Sequence, residues 1–245
     1  MNKLKTNILT LSLLSTVLFL FSCDVYNEHV RPSGSITTRN ESFEGYNMIE
    51  ASHAFQVYVK FSDTEELIEI EANDNLHQYI EVEKINNTLH IGLRNNISVR
   101  GSATLNAYIT TKHVDAYAAS GASKIILDSP LDADDTFIHL SGASGFYGEV
   151  QTTNLFADLS GASSIKISGT SIDLDVEASG ASLFKDYGFE TDNLHADLSG
   201  ASNIYLTVQN EIEVEASGAS NLKYKGNGVI VYQDISGASS IKKMN

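Results

Sequence analysis

The phrase Ser-Gly-Ala-Ser occurs seven times in the second half of this 245-residue chain, and its spacing restricts the fold more than any other feature. Its first serines are Ser120, Ser141, Ser160, Ser179, Ser199, Ser217 and Ser236, giving steps of 21, 19, 19, 20, 18 and 19 residues. A hydrolase needs a nucleophilic serine once, so a phrase used at near-constant period belongs to architecture. A period near twenty leaves no room for a helix plus strands. It fits one coil of a solenoid, where each repeat packs on its neighbours.

Aligning the repeats on their glycines, Gly121, Gly142, Gly161, Gly180, Gly200, Gly218 and Gly237, exposes a period of two. In the third repeat Leu155, Ala157, Leu159, Gly161, Ser163, Ile165 and Ile167 share one parity. Asp158, Ser160, Ala162, Ser164 and Lys166 take the other. Strand alternation makes the first set core and the second solvent. The phrase then sits where two apolar strand segments meet with only small side chains between them. Either the chain bends there, on a backbone that glycine tolerates, or facing walls approach closely. Stacked coils would place Gly on Gly and Ser on Ser at roughly 4.8 Å. At that spacing serine hydroxyls bond to backbone or to one another.

Two outward columns carry the functional expectations. Three residues before each glycine from Gly142 onward stand His139, Asp158, Glu177, Asp197, Glu215 and Asp234. Five after stand Tyr147, Lys166, Lys185, Tyr205, Lys223 and Lys242. An acidic stripe and a basic, tyrosine-bearing stripe should run along the surface. Stacked carboxylates at Asp158, Glu177, Asp197, Glu215 and Asp234 could take Ca²⁺ between coils, since hard cations collect oxygen ligands. The competing reading is a plain solvated face, because the Gly-rich turn pattern of calcium-binding solenoids is absent.

Residues 43–115 alternate in short bursts. Phe55, Val57, Val59 and Phe61 fall on one side; Ile68, Ile70 and Ala72 follow, then Leu89, Ile91 and Leu93, and finally Leu105, Ala107 and Ile109. Polar turns separate them, so this region reads as β structure continuous with the solenoid. Residues 73–85 could open as helix, but Ile80, Val82 and Ile85 fit a strand. Residues 116–245 form the repeat array proper.

The N-terminus reads as a processing segment. Lys3 and Lys5 precede an apolar run, Ile8 to Phe21, that is short for a spanning helix. Residues 1–22 are therefore expected to be a signal peptide. Leu20-Phe21-Ser22-Cys23 resembles a bacterial lipobox, which makes Cys23, the only cysteine, the expected lipidation site. Residues 23–42 lack periodicity and read as the lipidated cysteine and a flexible tether. Losing Lys3 and Lys5 takes the formal charge from −15 to −17. Such a balance argues against nucleic acid and anionic lipid as partners.

Residues 43–93 followed by "AYAASGASKI" resemble the putative auto-transporter adhesin head-domain family, also called the GIN domain, over roughly Phe43 to Lys243. The resemblance implies an exported protein of Gram-negative bacteria, often a lipoprotein, and an all-β, right-handed β-helix-like solenoid with coils of about 19–20 residues. It implies no established activity and supplies no functional residues.

Three functions compete. The first is a non-catalytic cell-envelope module, anchored to the outer membrane through Cys23, that offers a long surface to a glycan or a surface protein. The second is a carbohydrate-active β-helix enzyme, which requires grouped carboxylates or a basic residue in a cleft. The acidic residues instead form a regular column, the histidines show no metal-ligand spacing, and residues 142–145 are not a nucleophile elbow, so no catalytic residue or cofactor is expected. The third is a self-assembling envelope protein joined through exposed end coils, which Lys242 and Lys243 would discourage.

Overall fold

The computed structural model describes residues 28–245. Its first part contains β1 (Glu28–Val30), β2 (Ile36–Glu41), β3 (Met48–Ala51), β4 (Gln56–Phe61) and β5 (Leu67–Asn73). A short 3-10 turn, Asp74–Tyr79, leads to β6 (Ile80–Ile85), β7 (Thr88–Leu93), β8 (Ile97–Val99) and β9 (Leu105–Thr111). The repeat region adds β10 (Ala116–Ala119), β11 (Lys124–Leu127), β12 (Leu131–Leu140), β13 (Gly145–Leu159), β14 (Ser164–Ala178), β15 (Leu183–Leu198), β16 (Asn203–Ala216), β17 (Asn221–Lys225), β18 (Val229–Ile235) and β19 (Ser240–Lys243).

The chain forms a β-solenoid of stacked parallel coils. Strands β13 to β16 are 14 to 16 residues long because each runs from one Ser-Gly-Ala-Ser corner round to the next. Like stacks on like: Leu155, Leu174, Leu194, Ile212 and Ile230 are successive partners. Inward residues from all coils merge into one apolar core. Burying each Leu or Ile there is worth about 1.5–3 kcal/mol.

The alternation does not run unbroken through the corner. Gly161 is exposed on the turn and only Ser163 re-enters the core, at 1% exposure. Gly161 has φ +72°, so the chain turns here and a two-residue shift restores the inward parity. Of the two readings of the phrase, the bend is what forms, and close approach occurs along the stack between successive corners. A Cβ on Gly161 would lie 2.6 Å from the Gly142 carbonyl oxygen, and the same holds up the column.

Each coil turns again before the next corner. There Thr152, Ser171 and Thr191 occupy equivalent places and are buried. Ser171 Oγ donates to Thr191 Oγ1 at 2.9 Å, and the Thr191 hydroxyl lies 2.9 Å from the Asn193 carbonyl. The hydroxyls satisfy backbone groups that the bend removes from the ladder.

Residues 48–61 are a further coil. β3 pairs with β10 and β4 with β11, both parallel. Ser52-His53-Ala54 makes its corner, with His53 at φ +58° and Ala54 at φ +67° where the repeats use Gly-Ala. Outside it lies the coil of β7 on β3 and β9 on β4. The chain thus lays down an inner coil, builds the outer end, then returns to the other side of the first coil.

That outer end is closed by strand reversal. β6 runs antiparallel to β7, β5 to β9, and β2 to β5. Residues 28–41 are therefore not a tether: β1 pairs with β8 and β2 caps the sheet. Their lack of apolar alternation reflects an edge strand with little burial on either face. Arg39 secures it, donating to the His77 and Ile80 carbonyls at 2.7 and 3.1 Å. Cys23 and residues 1–22 lie outside the described residues.

At the opposite end, β18 and β19 pair on one side only. Two of their inward positions are polar. Gln233 stacks on Val214, and Lys243 stacks on Tyr224 with its ammonium 5.8 Å from the ring centroid. A lysine stem can cover apolar surface while its charge stays in water, which blunts an open edge.

Candidate functional site

Geometry at the corner removes the serines from consideration as nucleophiles. The second serines from Ser123 to Ser220 are buried, and the hydroxyls of Ser144, Ser182, Ser202 and Ser220 donate to the first serine's carbonyl at 2.8, 2.6, 2.8 and 2.9 Å; Ser163 instead meets Ser182 at 3.5 Å, and the Ser123 hydroxyl has no partner among the described residues. The alanine N–H bonds to the glycine carbonyl one coil back at 2.7 Å, from Ala143 through Ala238. Ser52 does meet a histidine, its Oγ lying 2.8 Å from His53 Nδ1. That nitrogen also accepts from the Leu93 N–H at 3.3 Å, so the imidazole ties the Ser52–Phe55 turn to the next coil.

The corner divides two solvent-facing walls. On the pre-turn wall His139, Asp158, Glu177, Asp197, Glu215 and Asp234 are successive partners, so the acidic column stands in register. It borders a groove of about 330 Å³ whose other side is made by Ser179, Ser199, Ser217 and Ser236. The carboxylates are exposed and side by side along the stack. No group of three or more His, Cys, Asp or Glu converges to hold a metal among the described residues. His139 Nδ1 reaches Asp158 at 2.9 Å. The Tyr232 phenol senses the wall's field: the Glu215 carboxylate, 3.3 Å away, is the largest of the influences raising its pKa.

Two more columns share this wall. One is Asp135, Asn154, Asp173, Asn193 and Glu211. It alternates acid and amide, and Asn154 and Asn193 each donate to the aspartate one coil back at 2.7 and 2.8 Å. The other holds Phe137, Phe156, Asp175, His195 and Glu213. Phe137 and Phe156 are 47% and 41% exposed yet stacked at 4.9 Å. With Met48 and Ala116 they line an apolar slot beside the acidic column. Counting from each glycine finds all of these positions: nine back gives the buried hydroxyls, seven the acid–amide column and five the phenylalanines.

The post-turn wall is different in kind. Tyr147 pairs with Lys166, Lys185 with Tyr205, Tyr205 with Lys223 and Lys223 with Lys242. Lys223 lies over Tyr205 at 5.4 Å and Lys225 over Tyr187 at 5.0 Å. Beside them Asn221 bonds to Asn203 at 3.1 Å and Ser240 to Asn221 at 2.7 Å.

A rigid apolar core carrying exposed, in-register ladders, acidic on one wall and lysine–tyrosine on the next, defines a β-solenoid surface module. Residues 45–228 match the family described as putative auto-transporter adhesin, head GIN domain, and the chain belongs to that family. Among solved structures, a "putative adhesin" of Bacteroides fragilis NCTC 9343 is 21% identical with a TM-score of 0.79, over 88% of this chain and 100% of that one. A "putative adhesin" of Parabacteroides merdae is 17% identical, TM-score 0.71, over 89% and 100%. A "putative lipid binding protein" of Parabacteroides distasonis is 16% identical, TM-score 0.74, with the same coverage. These likenesses establish the fold. No curated protein matches the chain at a significant level.

Proposed function

We propose that this protein is an envelope lipoprotein whose solenoid is a non-catalytic binding head. The observation that carries the reading is the sorting of exposed side chains into ladders on two walls, with no cleft among the described residues that gathers acid, base and nucleophile. A ladder repeats one chemistry at the strand spacing, which suits an extended or repetitive partner better than a small substrate. Membership of an adhesin head-domain family supports a binding or adhesive role and an envelope or surface location. Attachment to the outer membrane through Cys23 rests on the lipobox-like residues 20–23. No helix among the described residues is long and apolar enough to cross a membrane.

The test is binding of the soluble fragment, residues 24–245, to arrayed glycans and surface proteins, with Ca²⁺ and with EDTA. Saturable binding to a defined partner supports the module. If binding needs Ca²⁺ and is lost in Asp158→Ala/Asp197→Ala, the acidic column is the cation site. An array that stays blank in both conditions moves the assignment to a structural role. Radiolabelled palmitate incorporation, lost in Cys23→Ser, tests the anchor.

A further inference from the structure

We infer that the post-turn wall of the later coils is a binding site for a polyanionic glycan, a chain bearing uronate or sulfate groups. This deepens the binding-module reading and rests on it.

The first support is charge segregation. The chain carries 31 Asp and Glu against 16 Lys and Arg. In so acidic a molecule the lysines would be expected to sit beside carboxylates. Lys185, Lys223 and Lys242 instead share one outward column with Tyr205, Lys166 holds the same offset from its glycine one coil earlier, and Lys225 stands two residues beyond Lys223. Every ion pair among the described residues uses an arginine or a histidine, so these ammoniums have no carboxylate partner. The acidic column stands across the corner on the other wall; on the lysine side Asp186 adjoins Lys185 and accepts from the Gly188 N–H, and Glu190 is the register partner of Thr207, which pairs in turn with Lys225.

The second support is preorganisation. Tyr205 and Tyr187 lie edge to face at 6.3 Å and each holds a lysine over its ring. A cation fixed in this way loses less freedom on meeting an anion than a free surface lysine does. Lys185 and Lys223 flank Tyr205, so their backbones lie about 10 Å apart, twice the strand spacing and comparable to the span of a disaccharide.

The third support is the company the lysines keep. Asn203, Asn221 and Ser240 form a polar ladder two residues nearer the corner, facing the same way. Amides and a hydroxyl match sugar hydroxyls, whereas a membrane surface would call for apolar side chains to insert. Large exposed apolar residues lie elsewhere: Phe137 and Phe156 on the pre-turn wall, Val229 and Val231 on the last coil, and Ile36, Ile85 and Tyr108 toward the capped end. The formal charge of −15 works against any polyanion, so the attraction has to come from this local column.

The experiment measures binding of the 24–245 fragment to heparin, polygalacturonate, neutral dextran, a single-stranded oligonucleotide and phosphatidylglycerol vesicles across a salt series. Its key variant is Lys185→Gln/Lys223→Gln/Lys225→Gln. The control, Lys60→Gln/Lys84→Gln/Lys112→Gln, removes the same charge nearer the capped end. The expected result is salt-sensitive binding to heparin or polygalacturonate and none to dextran. The first variant should bind about tenfold more weakly and the control within about twofold. Equal loss in both variants would mean general charge attraction and would overturn the site. So would lysine-dependent binding to vesicles or oligonucleotide without glycan binding. A protein that binds other arrayed partners but no polyanion removes this inference and leaves the module reading intact; one that binds nothing removes both.

Discussion

Replacing Gly180 by alanine should separate two costs that the corner combines. Gly180 has φ +72°, and a Cβ there would sit 2.4 Å from the Gly161 carbonyl oxygen, a backbone atom fixed in the stack. Gly121 has nearly the same backbone, φ +69°, but stands where the glycine column ends, and its Cβ would lie 3.5 Å from the His53 nitrogen. Gly121→Ala therefore carries only the left-handed backbone penalty, about 1–2 kcal/mol. Gly180→Ala adds overpacking of roughly 1–3 kcal/mol, for a total of about 2–5 kcal/mol. For a domain of this size each kcal/mol moves Tm by roughly 2–4 °C, so Gly180→Ala should melt about 4–20 °C below the parent. Gly34, with open space around it, is the neutral control. The assay is thermal melting by circular dichroism, with hydrogen exchange at the corners to detect local opening. If Gly121→Ala and Gly180→Ala lose the same amount, the corners are not in contact along the stack and the reasoning fails.

Thr191→Val should cost about 1–3 kcal/mol in a denaturant melt by leaving the Ser171 hydroxyl without its acceptor, while Thr191→Ser should recover most of it. Lys243→Ile/Gln233→Val makes the open end coil apolar; light scattering should then show mass rising with concentration, and an unchanged monomer would refute the gatekeeping role of these residues. Glu215→Gln removes the largest influence raising the Tyr232 pKa. Without that negative charge the phenolate forms more easily, so the pKa should fall toward 10.0, read from the tyrosine ring carbon shift in an NMR titration.

The repeat half of the fold can be read from the chain because its marker is a backbone requirement. A glycine needed at every corner keeps its place, and counting from it orders the outward columns. Parity through the corner is harder, since Gly161 and Ala162 spend two residues on the turn before Ser163 points inward. The coil at residues 48–61 escapes the pattern because His53 replaces the glycine and Phe55 the second serine; "ASHAF" is the surviving trace of the phrase. Its place between two later coils is invisible to periodicity, which reports strands but not stacking order. β2 was hidden for a related reason. An edge strand held by backbone bonds and Arg39 has no need of apolar alternation. On the surface, the stripes follow from residue types at fixed offsets, whereas the pairing of Lys225 with Tyr187 depends on how neighbouring coils bulge.

The column Asp135, Asn154, Asp173, Asn193 implies a counting rule for how such a molecule can lengthen or shorten. Excising the coil that carries Asn154 would seat Asp135 directly on Asp173, two carboxylates with no amide between them. Excising two consecutive coils would seat Asp135 on Asn193 and keep the alternation. Along this stretch loss of a pair of coils, close to forty residues, keeps the amide-to-carboxylate bonds, whereas loss of a single coil gives them up, even though the visible repeat is half that length.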